Sequence, residues 1–445
     1  MKLSLPAFIK SALLGLAVAG AAQAAPFTPG NFVVAVVGDG TGSLSSVATQ
    51  VSLLEYTPTG VLVQTVVLPT TASGSNHILT VSGSATSELN LTSSGDGRYL
   101  VLTGYDAAVG TTGVASTAVA TVNRVVGRVA ADGTVNTTSL INDSFDGNNI
   151  RAAYSANGST FYAVGGVGGV RYLPLGNAGA TTSLAVAPAN IRAIGAFGGN
   201  LYVSSGSSAT LGVSQIGTGL PTAAGQTNTA LPSLATASNS SPYAFYFADL
   251  NPAVAGVDVA YVTDDRTATG GGIQKYSLVS GTWTLNGTIA NTATTIPALR
   301  GLTGTVSNGT VTLAATAPTG LYLVSDAAGY NAAPTTTTLP AAVATAATNT
   351  AFRGVAPTPL ATALATRAEA SAAQLTLYPN PAQDIVTIRL AGVTPLNETA
   401  ELLDLTGRVV RAMPLSASGE LPVHDLPTGV YVLRVAGLTR RVVVQ

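Results

Sequence analysis

Four arginines occupy equivalent places in a short apolar sequence that recurs along the chain: Arg151, Arg192, Arg300 and Arg353. A planar guanidinium group donates paired hydrogen bonds, which suits carboxylate groups. If these side chains converge, they form a site for an anionic ligand such as a carboxylate or a uronate sugar. The opposing interpretation is structural: each arginine binds an acidic or carbonyl group of the neighbouring repeat. Repetition favours the structural interpretation, because ligand sites usually break the symmetry of a repeat.

Two degenerate copies of the same sequence add two polar residues to the candidate site. They are Leu89-Asn90-Leu91 and Pro242-Tyr243-Ala244-Phe245, in which Asn90 and Tyr243 stand in place of the arginine. Successive copies begin about 40 to 60 residues apart, which is typical of β-propeller blades. In a propeller the first strand of each blade lines the central channel. The predicted ligand site is therefore a ring formed by Arg151, Arg192, Arg300, Arg353, Asn90 and Tyr243.

The strand patterns around these copies predict an all-β fold with about six blades. The last copy, Phe352 to Ala356, has no three strands after it, whereas the N-terminal segment has three strands and lacks a first one. The two fragments complete each other, so we expect the closing blade to contain both ends of the propeller, which removes unpaired sheet edges. Seven blades remain an alternative, because segments 70–88 and 222–242 are long enough to contain further strands.

Acidic loops offer the only candidate metal ligands. Asp143 and Asp146 precede Gly147, and Asp264 and Asp265 follow a strand pattern. Calcium binds carboxylate and amide oxygens of this kind. Neither group has the spacing of a known calcium loop, and Asp-Gly is a common turn sequence. The sequence therefore predicts no cofactor and leaves calcium as an alternative.

Residues for catalysis are scarce. The chain has two histidines, His77 and His424, so a Ser-His-Asp triad in the propeller would require His77. A paired-carboxylate glycosidase could draw on several acids, although no spacing indicates a pair. These acids are Asp39, Glu55, Glu88, Asp96, Asp249 and Asp264. Aromatic residues at 243–247 and Trp283 could stack on a sugar, but alternating aromatics in a strand are usually core.

Composition limits the possible partners. The formal net charge is −1, only 9% of residues are charged, and Lys275 is the only lysine after residue 24. This balance gives no basic surface for nucleic acid or for an anionic membrane. The chain has no cysteine, so its stability in an oxidising compartment depends on its core.

Both ends of the chain carry export signals. Residues 1–24 combine Lys2 and Lys10 with an apolar run that is too short to span a bilayer, and they end in Ala22-Gln23-Ala24. This pattern predicts a secretory signal peptide that is cleaved near Ala24. We expect a propeller over 25–356, an Ala/Thr/Pro-rich linker over 357–374 and a small antiparallel β-sandwich over 375–445.

The C-terminal segment contains four motifs in a fixed order: Tyr378-Pro379-Asn380-Pro381, then Asp404 and Gly407 in Asp-x-x-Gly-Arg-Val, then Gly429 and Tyr431 in Leu-x-x-Gly-x-Tyr, then a basic and apolar end. It closely resembles the type A C-terminal sorting domain of type IX secretion substrates of Bacteroidota. The resemblance implies Sec export, translocation across the outer membrane by the type IX machinery, and release or surface attachment. The strands Tyr202-Val203 and Tyr261-Val262 loosely resemble secreted YVTN-type propellers.

These observations favour a secreted or cell-surface propeller that binds a glycan or another extracellular macromolecule without catalysis. An extracellular polysaccharide hydrolase or lyase is the first alternative, and a structural component of the cell surface is the second. The sequence predicts no transmembrane segment and no nucleic-acid partner.

Overall fold

The structure is a computed structural model that describes residues 25–290, 297–361, 375–390, 399–404, 408–416, 418–435 and 438–445. The predicted signal peptide with Ala24, most of the predicted linker, and Gly407 lie outside the described residues. The chain divides into two units, Met1–Leu364 and Ala365–Gln445.

The first unit is built from strands and two short 3₁₀ turns, Val114–Ser116 and Ser208–Thr210. Its strands in chain order are β1 (Phe32–Val37), β2 (Ala48–Thr49), β3 (Val51–Tyr56), β4 (Leu62–Val67), β5 (Val81–Ser82), β6 (Thr92–Ser93), β7 (Tyr99–Tyr105), β8 (Arg124–Ala130), β9 (Val135–Ile141), β10 (Ile150–Tyr154), β11 (Thr160–Gly165), β12 (Val170–Pro174), β13 (Ala178–Gly179), β14 (Thr182–Ala185), β15 (Ile191–Phe197), β16 (Asn200–Ser205), β17 (Gly212–Ile216), β18 (Asn228–Ala230), β19 (Pro242–Ala248), β20 (Val259–Asp264), β21 (Gly272–Val279), β22 (Thr282–Ile289), β23 (Gly301–Ser307), β24 (Thr310–Ala317), β25 (Gly320–Asp326), β26 (Ala344–Thr345) and β27 (Ala351–Pro357).

These strands form a series of similar antiparallel sheets. Three sheets follow the chain directly, with orders β15-β16-β17-β18, β19-β20-β21-β22 and β23-β24-β25-β26. The sheet β10-β11-β12-β14 skips one short strand, which instead pairs with β9 at the edge of the five-stranded sheet β6-β7-β8-β9-β13. Repeated four-stranded sheets of this kind make the fold the predicted all-β propeller.

The sheet with order β27-β1-β3-β4 joins the two ends of the first unit. Phe32 of β1 pairs with Pro357 of β27, and Val37 pairs with Ala351. This is the strand composition that the sequence predicts for a closing blade. Segments 70–88 and 222–242 contribute β5 and β18, and among the described residues neither adds another four-stranded sheet. The blade count and the closure of the ring remain predictions of the sequence.

The first strand of each sheet contacts the first strand of the next. These contacts join β27 to β6, β6 to β10, β10 to β15, β15 to β19, β19 to β23 and β23 to β27. Apolar side chains fill the space between neighbouring sheets. Phe247, for example, lies between the rings of Tyr202 and Trp283, at centroid distances of 4.9 and 5.4 Å. Trp283 and Phe247 therefore belong to the core, as their alternation predicts.

Residues with a suitable backbone conformation form the turns of the hairpins. Between β3 and β4, Gly60 has a φ of 83° and its N–H donates to the carbonyl of Thr57. Only glycine adopts this backbone conformation without steric cost. After β27 the chain stays attached to the first unit: the N–H of Thr358 donates to Asn31, and that of Leu360 donates to Gly97.

The second unit contains seven strands among its described residues. They are β28 (Leu375–Tyr378), β29 (Ile385–Leu390), β30 (Thr399–Leu403), β31 (Val409–Pro414), β32 (Glu420–Pro422), β33 (Gly429–Val435) and β34 (Leu438–Val444). They form the sheets β28-β29-β32 and β31-β30-β33-β34 around a shared apolar core that includes Ile388, Leu402 and Leu433. The arrangement is the small antiparallel sandwich predicted from the sequence.

Candidate functional site

A small cavity, of about 340 Å³ when open solvent is included, is lined by five of the six residues that the sequence predicts for the ligand site. We call it the arginine cavity. It lies where several first strands begin, and the part of its lining that carries chemistry is Glu88, Asn90, Arg192, Tyr243, Arg300 and Arg353. Arg192, Tyr243 and Arg353 lie on the first strands β15, β19 and β27, and Arg300 immediately precedes β23. The repeated sequence therefore places these polar side chains around one space.

Two guanidinium groups contact the ring of Tyr243. The Cζ atom of Arg192 lies 4.3 Å from the centre of the Tyr243 ring, and that of Arg300 lies 5.0 Å from it. Contacts of this length are cation–π interactions. The Tyr243 hydroxyl shares a hydrogen bond of 3.0 Å with the Ser87 hydroxyl. Since Tyr243 itself is almost fully buried, the two arginines and the tyrosine form one ordered stack.

The two arginines of this stack differ in their compensating charge. Arg300 donates from Nε and Nη2 to Oδ2 of Asp265, at 2.9 and 2.7 Å. Arg192 donates to the Ser241 hydroxyl at 2.8 Å and to the Pro242 carbonyl at 3.2 Å. Arg300 is thus neutralised by a carboxylate, whereas the hydrogen-bond partners of Arg192 are uncharged.

Arg353 is the most enclosed cation of the cavity. Its exposed fraction is 5%, and burial lowers its pKa to about 10. Nη2 donates to the Gly83 carbonyl at 3.0 Å. Nε has no hydrogen-bond partner among the described residues, although it is buried. A buried donor without a partner is costly, which adds to the cost of desolvating the Arg353 guanidinium group.

Glu88 is the carboxylate of the arginine cavity, and both of its oxygens are already in use. Oε1 accepts hydrogen bonds from the Tyr105 hydroxyl at 2.6 Å and from Asn149 at 3.0 Å, and Oε2 accepts from the Ser82 N–H at 2.8 Å. Burial raises the pKa of Glu88, while these hydrogen bonds and the nearby Arg353 oppose the increase.

The backbone conformation of Leu89 orients its two neighbours, Glu88 and Asn90, toward their contacts. It is fully buried and has a φ of 63°, a conformation that a side chain with a Cβ rarely adopts. Its carbonyl accepts a hydrogen bond from Gly354 of β27, and the Asn90 N–H donates to Arg151 of β10. A strained backbone held by two neighbouring sheets is a recurrent feature of binding sites.

Arg151 is the predicted site residue that does not line the arginine cavity. Its Nη1 donates to the Asn190 side chain at 2.6 Å and to the Ile191 carbonyl at 3.1 Å, both at the start of the next sheet. Burial lowers its pKa. Arg192 binds the Pro242 carbonyl, Arg300 binds Asp265 and Arg353 binds the Gly83 carbonyl, all outside their own sheets. The structural interpretation of the repeated arginines therefore describes real contacts of all four.

A second cavity, which we call the channel cavity, encloses about 830 Å³ including open solvent. The strands β6, β10, β15, β19, β23 and β27, or residues adjoining them, contribute to its lining. Phe197, Phe245 and Tyr246 supply aromatic rings, and Asn90, Thr92 and Thr303 supply polar groups. Its lining contains no Asp, Glu, Lys, Arg or His among the described residues. The prediction that the aromatics at 243–247 belong to the core agrees with their burial: Tyr243, Phe245 and Phe247 are buried, and Tyr246 is half-buried and packs against the same core cluster as Phe247.

The candidate calcium ligands are dispersed. Asp143 accepts from Thr181, and Asp146 accepts from the Val119 N–H at 2.7 Å. Asp264 binds Arg266, and Asp265 binds Arg300. Among the described residues no three acidic or histidine side chains form a group that could hold a metal ion.

His77 is engaged in a local contact. Its Nδ1 lies 3.0 Å from Oδ2 of Asp106, whose other oxygen accepts the N–H of Ile78 at 3.1 Å. No serine hydroxyl bonds to the His77 ring among the described residues, so the contact fixes a loop and forms no triad.

Motif residues of the second unit hold its strands together. The Asn380 side chain donates to the Arg441 carbonyl and accepts the Val443 N–H, both at 2.8 Å. Asp404 accepts two hydrogen bonds from Arg408. The Tyr431 hydroxyl donates to the Pro427 carbonyl at 2.7 Å, just before Gly429 begins β33. Tyr378 is half-exposed, and its hydroxyl accepts a hydrogen bond from Arg389.

Residues 376–445 match the family described as the secretion system C-terminal sorting domain. The chain carries a type IX sorting domain. The sorting domain accounts for the order of the four motifs and makes the protein a type IX secretion substrate, located outside the cell or on its surface. Among the described residues no helix has the length and apolar character needed to cross a membrane.

The chain is also similar, at low sequence identity, to several solved structures. A candidate 6-phosphogluconolactonase from Bacteroides uniformis is 15% identical, with 92% of this chain and 99% of that chain covered and a TM-score of 0.36. A gluconolactonase from Xanthomonas campestris is 11% identical, with 84% and 96% covered and a TM-score of 0.36. The extracellular domain of a candidate one-component system from B. thetaiotaomicron is 12% identical, with 95% and 59% covered and a TM-score of 0.35. No curated protein matches the chain. These identities and scores carry no information on activity.

Proposed function

We propose that the first unit is a six-bladed, closed propeller that binds an anionic group of an extracellular glycan or other macromolecule in the arginine cavity, without catalysis. One observation carries the proposal: positive charge inside this cavity exceeds negative charge. Arg192, Arg300 and Arg353 line it, whereas Glu88 and the Arg300-bound Asp265 are the carboxylates beside it. In a chain of formal net charge −1, such a local surplus is a specific feature.

The bonds between the arginines and neighbouring sheets support binding. They fix guanidinium groups that would otherwise lose rotamer freedom when a ligand arrives, so the cavity is preorganised. Arg192, whose hydrogen-bond partners are uncharged, then supplies the positive charge that an incoming carboxylate requires. A structural role and a binding role are therefore compatible for the same side chains.

The carboxylates favour binding over glycoside hydrolysis. Hydrolysis of this type uses two carboxyl groups on opposite sides of the bond that breaks. The lining of the arginine cavity contains one carboxylate, Glu88, and its two oxygens are occupied by Tyr105, Asn149 and Ser82.

A second candidate function, β-elimination on a uronate chain, has one observation in its favour. Two guanidinium groups contact the Tyr243 ring, and they would bind the uronate carboxylate near the tyrosine oxygen. In that reaction the deprotonated Tyr243 oxygen takes the proton from the carbon next to the carboxylate, the bond between the adjacent carbon and the glycosidic oxygen breaks, and a carbon–carbon double bond forms. The Tyr243 hydroxyl then gives this proton to the departing oxygen.

Titration calorimetry with glucuronic acid and with glucose tests the binding proposal on the chain without residues 1–24. We expect the acid alone to bind, and Arg192→Ala to weaken binding by about tenfold or more. Arg128→Ala is the matched control, because Arg128 also stacks on a tyrosine and donates to a carbonyl, but lies outside both cavities.

Two results would overturn the assignment. Equal binding of glucose and glucuronic acid would refute an anion site, as would equal losses in the two arginine variants. Formation of an unsaturated uronate from oligouronates, measured by its ultraviolet absorbance and abolished by Tyr243→Phe, would replace the binding function with β-elimination.

A further inference from the structure

The arginine cavity and the channel cavity follow one another along the same strands. Asn90 lines both cavities. On β15, Arg192 lines the first cavity and residues from Ala193 to Phe197 line the second. Arg192 and Phe197 are five residues apart, which is about 16 Å along an extended strand. The two cavities therefore lie next to one another along the first strands.

The same order of the two cavities is found along two other first strands. On β19, Tyr243 lines the arginine cavity and Phe245 and Tyr246 line the channel cavity. On β23, Gly301 lines the arginine cavity and Leu302 to Gly304 line the channel cavity. A ligand that extends along the channel thus meets cations at one end and neutral residues at the other.

Glycines leave room beneath two of the aromatic rings. A Cβ atom at Gly304 would lie 2.7 Å from Cδ1 of Tyr246, and one at Gly195 would lie 3.1 Å from Cε2 of Phe197. The Phe197 ring also meets the Tyr246 ring edge-on, at 5.6 Å and 88°. Each of these two rings therefore packs directly on the backbone of a glycine in the wall of the channel cavity.

The channel cavity has the chemistry of a neutral sugar site. Aromatic faces contact the C–H surfaces of sugar rings, and a few hydroxyl and amide groups orient them. Thr92, Thr303 and Asn90 are available for this purpose. The Tyr246 hydroxyl forms no hydrogen bond within the described residues, and burial raises the pKa of Tyr246 to about 12, so it remains a neutral donor. A second carboxylate placed here would find no cation in the lining.

We propose that the channel binds an oligosaccharide that carries a single terminal acidic sugar, with the acid in the arginine cavity and the following neutral sugars in the channel cavity. This inference rests on the proposed function, since it uses the arginine cavity as the acid site. It excludes a polyuronate as the preferred ligand, because the charges of the second and third sugars would lie among neutral residues.

Three probes compared by titration calorimetry test this assignment: glucuronic acid, a trisaccharide of one non-reducing glucuronate and two neutral hexoses, and a trigalacturonate. We expect the mixed trisaccharide to bind at least about tenfold more tightly than the free acid. The trigalacturonate should show no such gain. Ala196→Phe fills the channel cavity from a half-exposed position, and with this variant the free acid and the mixed trisaccharide should bind with about equal affinity.

Controls separate this inference from the proposed function. Thr305→Phe adds the same ring to an exposed position of β23 outside the channel cavity and should keep the gain of the mixed trisaccharide. Tyr246→Ala should reduce the gain and serves as the second variant if Ala196→Phe lowers the thermal stability. Acid binding without any gain, or a gain that survives both cavity variants, overturns the extended site alone. Failure of all three probes to bind overturns both proposals.

Discussion

The Nζ atom of Lys275 lies 2.7 Å from Oδ2 of Asp326, and neither side chain has any solvent exposure. Lys275 belongs to β21 and Asp326 to β25, so the ion pair joins two neighbouring sheets. The Tyr261 hydroxyl donates to the same carboxylate at 2.7 Å. At this distance the lysine stabilises the buried carboxylate by Coulomb attraction.

Lys275→Met should destabilise the protein by about 3–5 kcal/mol, because it leaves a buried carboxylate without its cation. Lys275→Met with Asp326→Asn should recover part of this loss. The amide oxygen can still accept the N–H groups of Ala328 and Thr335, while the buried charge is removed. Denaturant unfolding measures both. A double variant that is no more stable than Lys275→Met would contradict the electrostatic explanation.

Chemical labelling of Lys275 tests whether this ion pair is buried. It is the only lysine after residue 24 and is fully buried. In the folded chain without residues 1–24, we expect an amine-reactive reagent to modify the N-terminal amine and to leave Lys275 unmodified until the sheets separate. Peptide mass spectrometry after short pulses at increasing denaturant measures this. Rapid labelling in native buffer would disprove the burial of the pair.

Glu88 should make the stability of the first unit depend on pH. Its pKa in the folded state is raised above the ordinary value of 4.5, so between these two values the folded chain binds more protons than the unfolded chain. The free energy of unfolding therefore rises as the pH falls through this window. The groups that face Glu88 are Tyr105, Asn149, Arg353 and the Ser82 N–H.

Glu88→Gln isolates this contribution. The variant lacks this titratable group. The unfolding free energy of the wild type should therefore increase relative to that of the variant as the pH falls from 7.5 toward 4.5. Urea midpoints at several pH values measure it. Asp96→Asn is the control, because Asp96 serves a turn after Ser94. Parallel pH profiles of wild type and Glu88→Gln would disprove the role of Glu88.

Periodicity alone predicted the sheets, because turn residues and alternating apolar residues are local signals. The recurring Ile-Arg-Ala sequence identified first strands, and the missing strands at the two ends predicted the sheet that contains β1 and β27. The sequence could not show which arginines share a cavity. Arg151 and Arg192 each lie at an irregularity of strand pairing, yet Arg151 contacts Asn190 and Arg192 contacts Tyr243. The partner of each arginine depends on which residues the next sheet places beside it.

The channel cavity was missed for a related reason. Alternation in a strand separates two faces, but it does not tell which face borders a channel and which packs on another sheet. Tyr246 and Phe247 are adjacent on β19, and the first lines the cavity while the second packs on Trp283. Gly304, beneath Tyr246, was the available signal: a glycine inside a strand pattern often marks the close approach of another group.

Asn380 should control the stability of the sorting domain. Its side chain replaces a strand partner for Arg441 and Val443, so Asn380→Ala removes two hydrogen bonds and should cost about 1–3 kcal/mol. Hydrogen exchange of the full chain should then be faster at the amides of 441–445. Tyr378→Phe is the control, because the Tyr378 hydroxyl is half-exposed and bonds to Arg389. Equal exchange in both variants would contradict this role of Asn380.

Asp265 should weaken anion binding in the wild-type protein, because its Oδ2 occupies both donors that Arg300 directs at it. In Asp265→Asn the amide oxygen can still hold Arg300 in place, but the competing charge is gone. We expect glucuronic acid to bind about fivefold more tightly, which corresponds to about 1 kcal/mol. Calorimetry at low and high salt measures the gain, which should shrink as salt screens the charges.

Asp132→Asn separates this local effect from a change in net charge. Asp132 is an exposed residue of the hairpin between β8 and β9, and its substitution alters the total charge by the same amount. The control should leave the affinity near that of the wild type, because an exposed charge far from the cavity is screened. If both variants tightened binding equally, the gain would come from the change in the net charge of the protein and not from the loss of the carboxylate beside Arg300. If Asp265→Asn weakened binding instead, the carboxylate would be required to position Arg300, and Arg300 would owe its place in the cavity to that ion pair.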